Sequence, residues 1–107
     1  MLSKQNCVAV EKGETAISEK DAKAMLGQLG GWALAHGGKA IFRKYSFPDF
    51  DSALLLANKI ATIAQQENHH PDISFGWGYV KIRIMTHDVG GLHKNDFIVA
   101  SKINEIR

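Results

Sequence analysis

The sequence predicts an α+β domain: a four-stranded antiparallel sheet with helices packed on one face, in the order helix, strand, strand, helix, strand, strand, helix. Three observations carry this. Val80, Ile82, Ile84 and Thr86 alternate with Lys81, Arg83, Met85 and His87, the period of two that marks a strand. Phe50, Ala53, Leu54, Ala57, Ile60, Ala61 and Ala64 form one long stripe at helical spacing. Gly37-Gly38 and Gly76-Trp77-Gly78 stand where antiparallel strands would turn.

Each element has a local reason. Residues 1–17 show no firm periodicity and are expected to be loosely ordered. Ser18 is an N-cap, with Asp21 three residues on as a capping-box acid. Ala22, Met25, Leu26 and Leu29 follow, and Gly30-Gly31 ends a helix of about Glu19 to Leu29. Trp32 to His36 reads as a short strand and Ala40 to Phe47 as its partner. The alternation of Ile41, Arg43, Tyr45 and Phe47 with Ala40, Phe42, Lys44 and Ser46 does not say which side is core. Pro48 suits the first turn of a second helix, about Asp49 to Glu67. Asn68 closes it and Pro71 forbids continuation. Strands follow at Asp72 to Trp77 and Tyr79 to Thr86, then a turn at Gly90-Gly91 and a last helix of about Lys94 to Ile106. Two successive ββα units suggest a pseudo-two-fold arrangement, and the uncovered sheet face or an edge strand could drive self-association.

Composition narrows the function. A chain of 107 residues is expected to form one domain with a small core. It has 13 basic and 11 acidic residues and no basic stripe, so nucleic acid is not an expected partner. No apolar run is long enough to span a bilayer, and the first residues lack the apolar core of a signal peptide, so the expected address is cytoplasmic. The single cysteine, Cys7, excludes an internal disulfide and suits a reducing compartment.

The histidines carry the chemistry. His69-His70-Pro71 precedes the second hairpin and His87 follows it; the midpoint between His69 and His87 is residue 78, inside the turn. The open end of the hairpin should therefore gather all three imidazoles. Imidazole changes charge nearest neutral pH, so such a cluster suits proton transfer at a bound small molecule. Adjacent residues of an extended chain point to opposite sides, so His69 and His70 share a pocket only if the junction twists, and Pro71 would hold such a twist. The residues by themselves leave other roles open: dipole-favoured histidines at a helix end, or a zinc site with His93 as a further ligand. Zinc is disfavoured because the spacing fits no common ligand pattern, and no metal or organic cofactor is expected. Asp96, in the first turn of the last helix, either favours the helix dipole or orients an imidazole. Trp32 could wall a pocket for a planar heterocycle.

Taken in order, Gly31-Trp32, Phe47-x-Asp49-Phe50, His69-His70-Pro71, Thr86-His87 and Gly91-Leu92-x-x-x-Asp96 resemble the pterin-4a-carbinolamine dehydratases over roughly Trp32 to Ile103, more weakly through the first helix. The resemblance implies an antiparallel sheet backed by helices, in dimers or tetramers. It implies a hydro-lyase that removes water from 4a-hydroxytetrahydropterin. The product, quinonoid dihydropterin, is recycled for aromatic amino acid hydroxylases. It implies catalytic roles for His69 and His87 as acid and base, in either order, with His70 binding and orienting the pterin. Trp32, Pro71, Thr86, Asp88, Val89 and Asp96 would complete the substrate site. Two positions depart from the pattern: Asn68 where some relatives carry Asp, and Gln65 where some carry an acid that would tune a nearby histidine. The rival expectations are a non-catalytic dimerisation module, and a dehydratase-like protein acting on another pterin, such as a molybdopterin-related compound.

Overall fold

The computed structural model describes residues 2–106. Its elements are α1 (Glu19–Leu26), β1 (Ala33–Ala35), β2 (Ala40–Ser46), α2 (Phe50–Glu67), β3 (Asp72–Gly76), β4 (Tyr79–Ile84) and α3 (Lys94–Asn104), with short 3-10 turns at Leu2–Lys4, His36–Gly38 and His87–Val89. The strands form one antiparallel sheet in the order β1-β2-β4-β3. The two hairpins thus meet through β2 and β4, and the pairing is symmetric about that contact. The expected α+β architecture and element order are those observed.

β4 explains the layering. Val80, Ile82 and Ile84 are fully buried against the helices, while Lys81 and Arg83 lie on the other face. Register decides the ambiguous strand: Ile41, Arg43 and Tyr45 pair with Ile84, Ile82 and Val80 and so share the helix-facing side. The alternation in β2 looked imperfect because Arg43 sits on that side by purpose of its head group. Its guanidinium donates to the Gly30 carbonyl and to Asn104 Oδ1 at the end of α3, and lies 4.3 Å from the Tyr45 ring centroid.

Helix α2 is capped at both ends. Asp49 accepts the Ser52 N–H at 2.7 Å, so Pro48 stands outside the helix rather than in its first turn. The buried stripe is Ala53, Leu56, Ala57, Ile60 and Ala64; Phe50, Leu54 and Ala61, expected in it, face outward. Three successive leucines allow two helical phases, and packing selects the one that buries Leu56. Helix α1 stops earlier than expected, at Gly27, and the chain reaches Gly31 through a turn with φ of 87° there. Helix α3 buries Phe97, Ile98, Val99, Ala100 and Ile103, more than one face, because the sheet and α2 are not its only neighbours.

The remaining neighbour is the N-terminal strap, residues 2–10. Rather than lying loose, it is tied to α2 and α3. The Cys7 N–H donates to Glu67 Oε1 at 2.7 Å, and Lys102 Nζ donates to the Ser3 carbonyl at 3.0 Å. Val8 makes both of its backbone bonds to the Asn95 carboxamide. Among the described residues no helix is long and apolar enough to cross a membrane.

Candidate functional site

The C-terminal end of α2 sets the first histidine pair. Asn68 adopts the left-handed conformation (φ 50°), the Asn68 N–H donates to Gln65 O, and the His69 N–H reaches back to Ala64 O at 3.1 Å. This is a Schellman closure, in which asparagine is tolerated where most side chains are strained. It supplies the twist at the junction: His69 and His70, adjacent in sequence, line the same cleft.

The β3–β4 hairpin sets the facing wall. Asp72 pairs with Arg83 and Gly76 with Tyr79, leaving Trp77-Gly78 as a two-residue loop. Gly78 has φ of 86°, which permits so tight a turn. The turn thus centres between residues 77 and 78, not on 78. Continuing the register places His69 opposite Thr86, and Thr86 Oγ1 lies 3.5 Å from His69 Nε2. His87 falls one residue further on, in the turn His87–Val89. A reciprocal backbone pairing of Thr86 with Gly91 closes that turn.

Behind His69 is a buried carboxylate. Asp96 has no exposed surface. Its Oδ1 lies 2.6 Å from His69 Nε2, while Oδ2 accepts the Thr86 hydroxyl at 2.9 Å and the His93 N–H at 2.8 Å. The last bond is half of a capping box that starts α3. One residue therefore begins the helix and holds the imidazole. With Nε2–H donated to Asp96, the ring is fixed in orientation and Nδ1 is its remaining nitrogen.

The cleft has a volume of about 400 Å³ and is lined by three of the expected residue groups: His69 with His70, Thr86 with His87, and Asp88. His70 Nε2 is 2.7 Å from Gln65 Oε1, so the uncharged Gln65 still orients that ring by a hydrogen bond. The exposed His87 ring has no hydrogen-bond partner among the described residues. Pro71 and Val89 flank the cleft without lining it. Trp32 is not brought there: it is buried in the core, and its indole N–H donates to Asn104 Oδ1 at 2.8 Å. His93 is a helix cap instead of a ligand, its Nδ1 accepting the Asn95 N–H and its Nε2 lying 2.7 Å from Glu14 Oε1. Among the described residues no group of three or more His, Cys, Asp or Glu side chains is arranged to hold a metal ion.

The sequence reading missed Val8, Ala9, Val10, Met85 and Asn95, which together with Asn68 complete the lining. Residues 8–10 carry no periodic signal, and their position depends on a bond to a residue 87 positions away. Near them, partial burial first and the adjacent Glu67 carboxylate second push the Cys7 thiol up to about 12, which disfavours the thiolate.

Comparison with known proteins places this site in a family. The sequence model of the pterin 4 alpha carbinolamine dehydratases matches residues 15–106, and the chain belongs to that family. A relative from Azoarcus sp. (strain BH72), named "Putative pterin-4-alpha-carbinolamine dehydratase", is 43% identical over 98% of this chain and 90% of its own length. The crystal structure of a transcriptional coactivator/pterin dehydratase from Brucella melitensis superposes with a TM-score of 0.78 at 29% identity, covering 84% of this chain and 96% of that one. A pterin dehydratase-like protein identified as a RuBisCO assembly factor in the alpha-carboxysome shares the fold at a TM-score of 0.59 and 17% identity, covering 69% of this chain and 86% of its own.

Proposed function

We propose that the protein dehydrates 4a-hydroxytetrahydropterin to quinonoid dihydropterin by histidine acid–base catalysis. The observation that carries this reading is the His69–Asp96–Thr86 network opening into the cleft that His70 and His87 also line. The C4a–O bond breaks as an acid protonates the departing hydroxyl, and water leaves. A base removes the proton from the ring nitrogen, and that electron pair forms the new double bond. The two proton transfers fall to His69 and His87. Asp96 stabilises a charged His69 ring at either stage, as an oriented carboxylate does for any imidazole that gains a proton. His70, steadied by Gln65, binds and orients the pterin. Asp88 and Thr86 add polar contacts. The chemistry calls for no metal or organic cofactor.

The same reading makes the protein a cytoplasmic homodimer or homotetramer that restores the cofactor used by an aromatic amino acid hydroxylase. Its test is stopped-flow ultraviolet absorbance of 4a-hydroxytetrahydropterin generated by a hydroxylase. Wild-type protein is expected to accelerate conversion, and His87→Ala to lose roughly a hundredfold or more of that acceleration. The His87 ring is exposed and without a hydrogen-bond partner among the described residues, so the variant should fold normally. Wild-type protein that leaves the spontaneous rate unchanged would exclude this substrate and favour another pterin or a binding role.

A further inference from the structure

The strap is a working wall of the cleft, and we infer that Asn95, by clamping Val8, is a positioning residue that sets pterin affinity. Four apolar residues line the cleft, and three of them, Val8, Ala9 and Val10, come from the strap; the fourth is Met85. The other walls are histidines, Thr86, Asp88 and two asparagines. A small-molecule site usually takes its affinity from apolar contact and its orientation from a few polar groups. Here those two jobs fall to different segments of the chain.

The clamp is specific. The Val8 N–H donates to Asn95 Oδ1 at 3.1 Å, and Asn95 Nδ2 donates to the Val8 carbonyl at 2.6 Å. A carboxamide serves both groups at once, whereas a carboxylate cannot donate and an ammonium cannot accept. Asn95 is buried, and it precedes Asp96, whose carboxylate holds His69. The apolar wall and the reacting imidazole are thus both referenced to the first turn of α3. Val8 and Ala9 also border a second hollow of about 340 Å³ containing Glu14 and His93, so the strap stands as a partition between two spaces. Upstream the strap is held at Ser3 and Cys7, and the clamp carries that hold on to Val8, where the partition begins. The family model's match begins at residue 15, while relatives align over 98% of the chain and so span the strap as well.

The inference rests on the dehydratase reading only for the identity of the ligand. Its test combines amide hydrogen exchange at Val8 with steady-state kinetics of wild type, Asn95→Ala, Asn95→Asp and Val10→Ser. Release of the clamp should raise KM about tenfold while kcat stays within about twofold, the signature of lost ground-state contact. Asn95→Asp keeps the volume and one of the two bonds and should fall between. Val10→Ser leaves the clamp intact and should raise KM alone. A Val8 amide that exchanges freely in wild type, or an unchanged KM once it does so in Asn95→Ala, would overturn the inference. Failure of the dehydratase reading is seen separately, as absent turnover by wild type. The strap is then judged on fluorescence-measured binding of 7,8-dihydropterin, where equal affinity of wild type and Asn95→Ala overturns it.

Discussion

His69 and Asp96 stand 27 residues apart in the chain and 2.6 Å apart in space, an imidazole held by a fully buried carboxyl group. The acid has its other oxygen occupied by the Thr86 hydroxyl and the His93 backbone, so it cannot rotate away from the ring. That rigidity is what an imidazole needs to exchange a proton at a fixed point in space.

Asp96→Asn should therefore be costly twice over. The amide NH2 either faces His69, which must then take the opposite tautomer and accept at Nε2, or faces the Thr86–His93 pair and leaves a buried donor unsatisfied. Stability should fall by about 1–3 kcal/mol. The rate on 4a-hydroxytetrahydropterin should fall by about a hundredfold. Thermal melts and stopped-flow traces read the two effects independently, and a variant with normal turnover would mean that His69 works without its carboxylate.

Gln65→Glu tests the second histidine. It places a carboxylate where the Gln65 amide oxygen now sits 2.7 Å from His70 Nε2. An opposite charge favours the protonated ring, so His70 should titrate at higher pH than in wild type. The site is exposed, which screens the effect. A histidine NMR titration comparing the variant with wild type gives the answer directly. An unmoved resonance would show that the two side chains do not meet in solution.

Cys7 makes a prediction about alkaline pH. Burial first, and Glu67 second, raise its thiol from the ordinary 9.0 to about 12. The folded value lies above the unfolded one, so folding favours the protonated thiol. This contribution is fully present below pH 9 and is lost as pH rises toward 12. Native protein should resist iodoacetamide at pH 8 far better than unfolded protein, and its melting temperature should drop more steeply above pH 9 than that of Cys7→Ala. Rapid alkylation of the folded chain would place the thiol in open solvent.

Much of the framework is local and so was legible. The alternation in β4, the Ser18 cap of α1, the closure of α2 at Asn68 and the glycine turns all follow from residues within a few positions of one another. The gathering of three histidines at one hairpin end needed only the length of the hairpin. The α2 stripe is legible at Ala53, Ala57, Ile60 and Ala64, but the period alone admits either Leu54 or Leu56, and only tertiary packing buries Leu56 and leaves Leu54 outside.

The sequence by itself determined the elements, their order and the histidine cluster, because backbone propensity and side-chain periodicity act over a turn or two. Tertiary structure decided the rest. It turned Trp32 into a core residue bonded to Asn104, set His69 against Thr86 rather than His87 by half a residue of turn geometry, and brought Val8 to Asn95. Each of these depends on which groups remain unpaired once distant segments pack, and a buried donor or acceptor must find its partner wherever the fold delivers one.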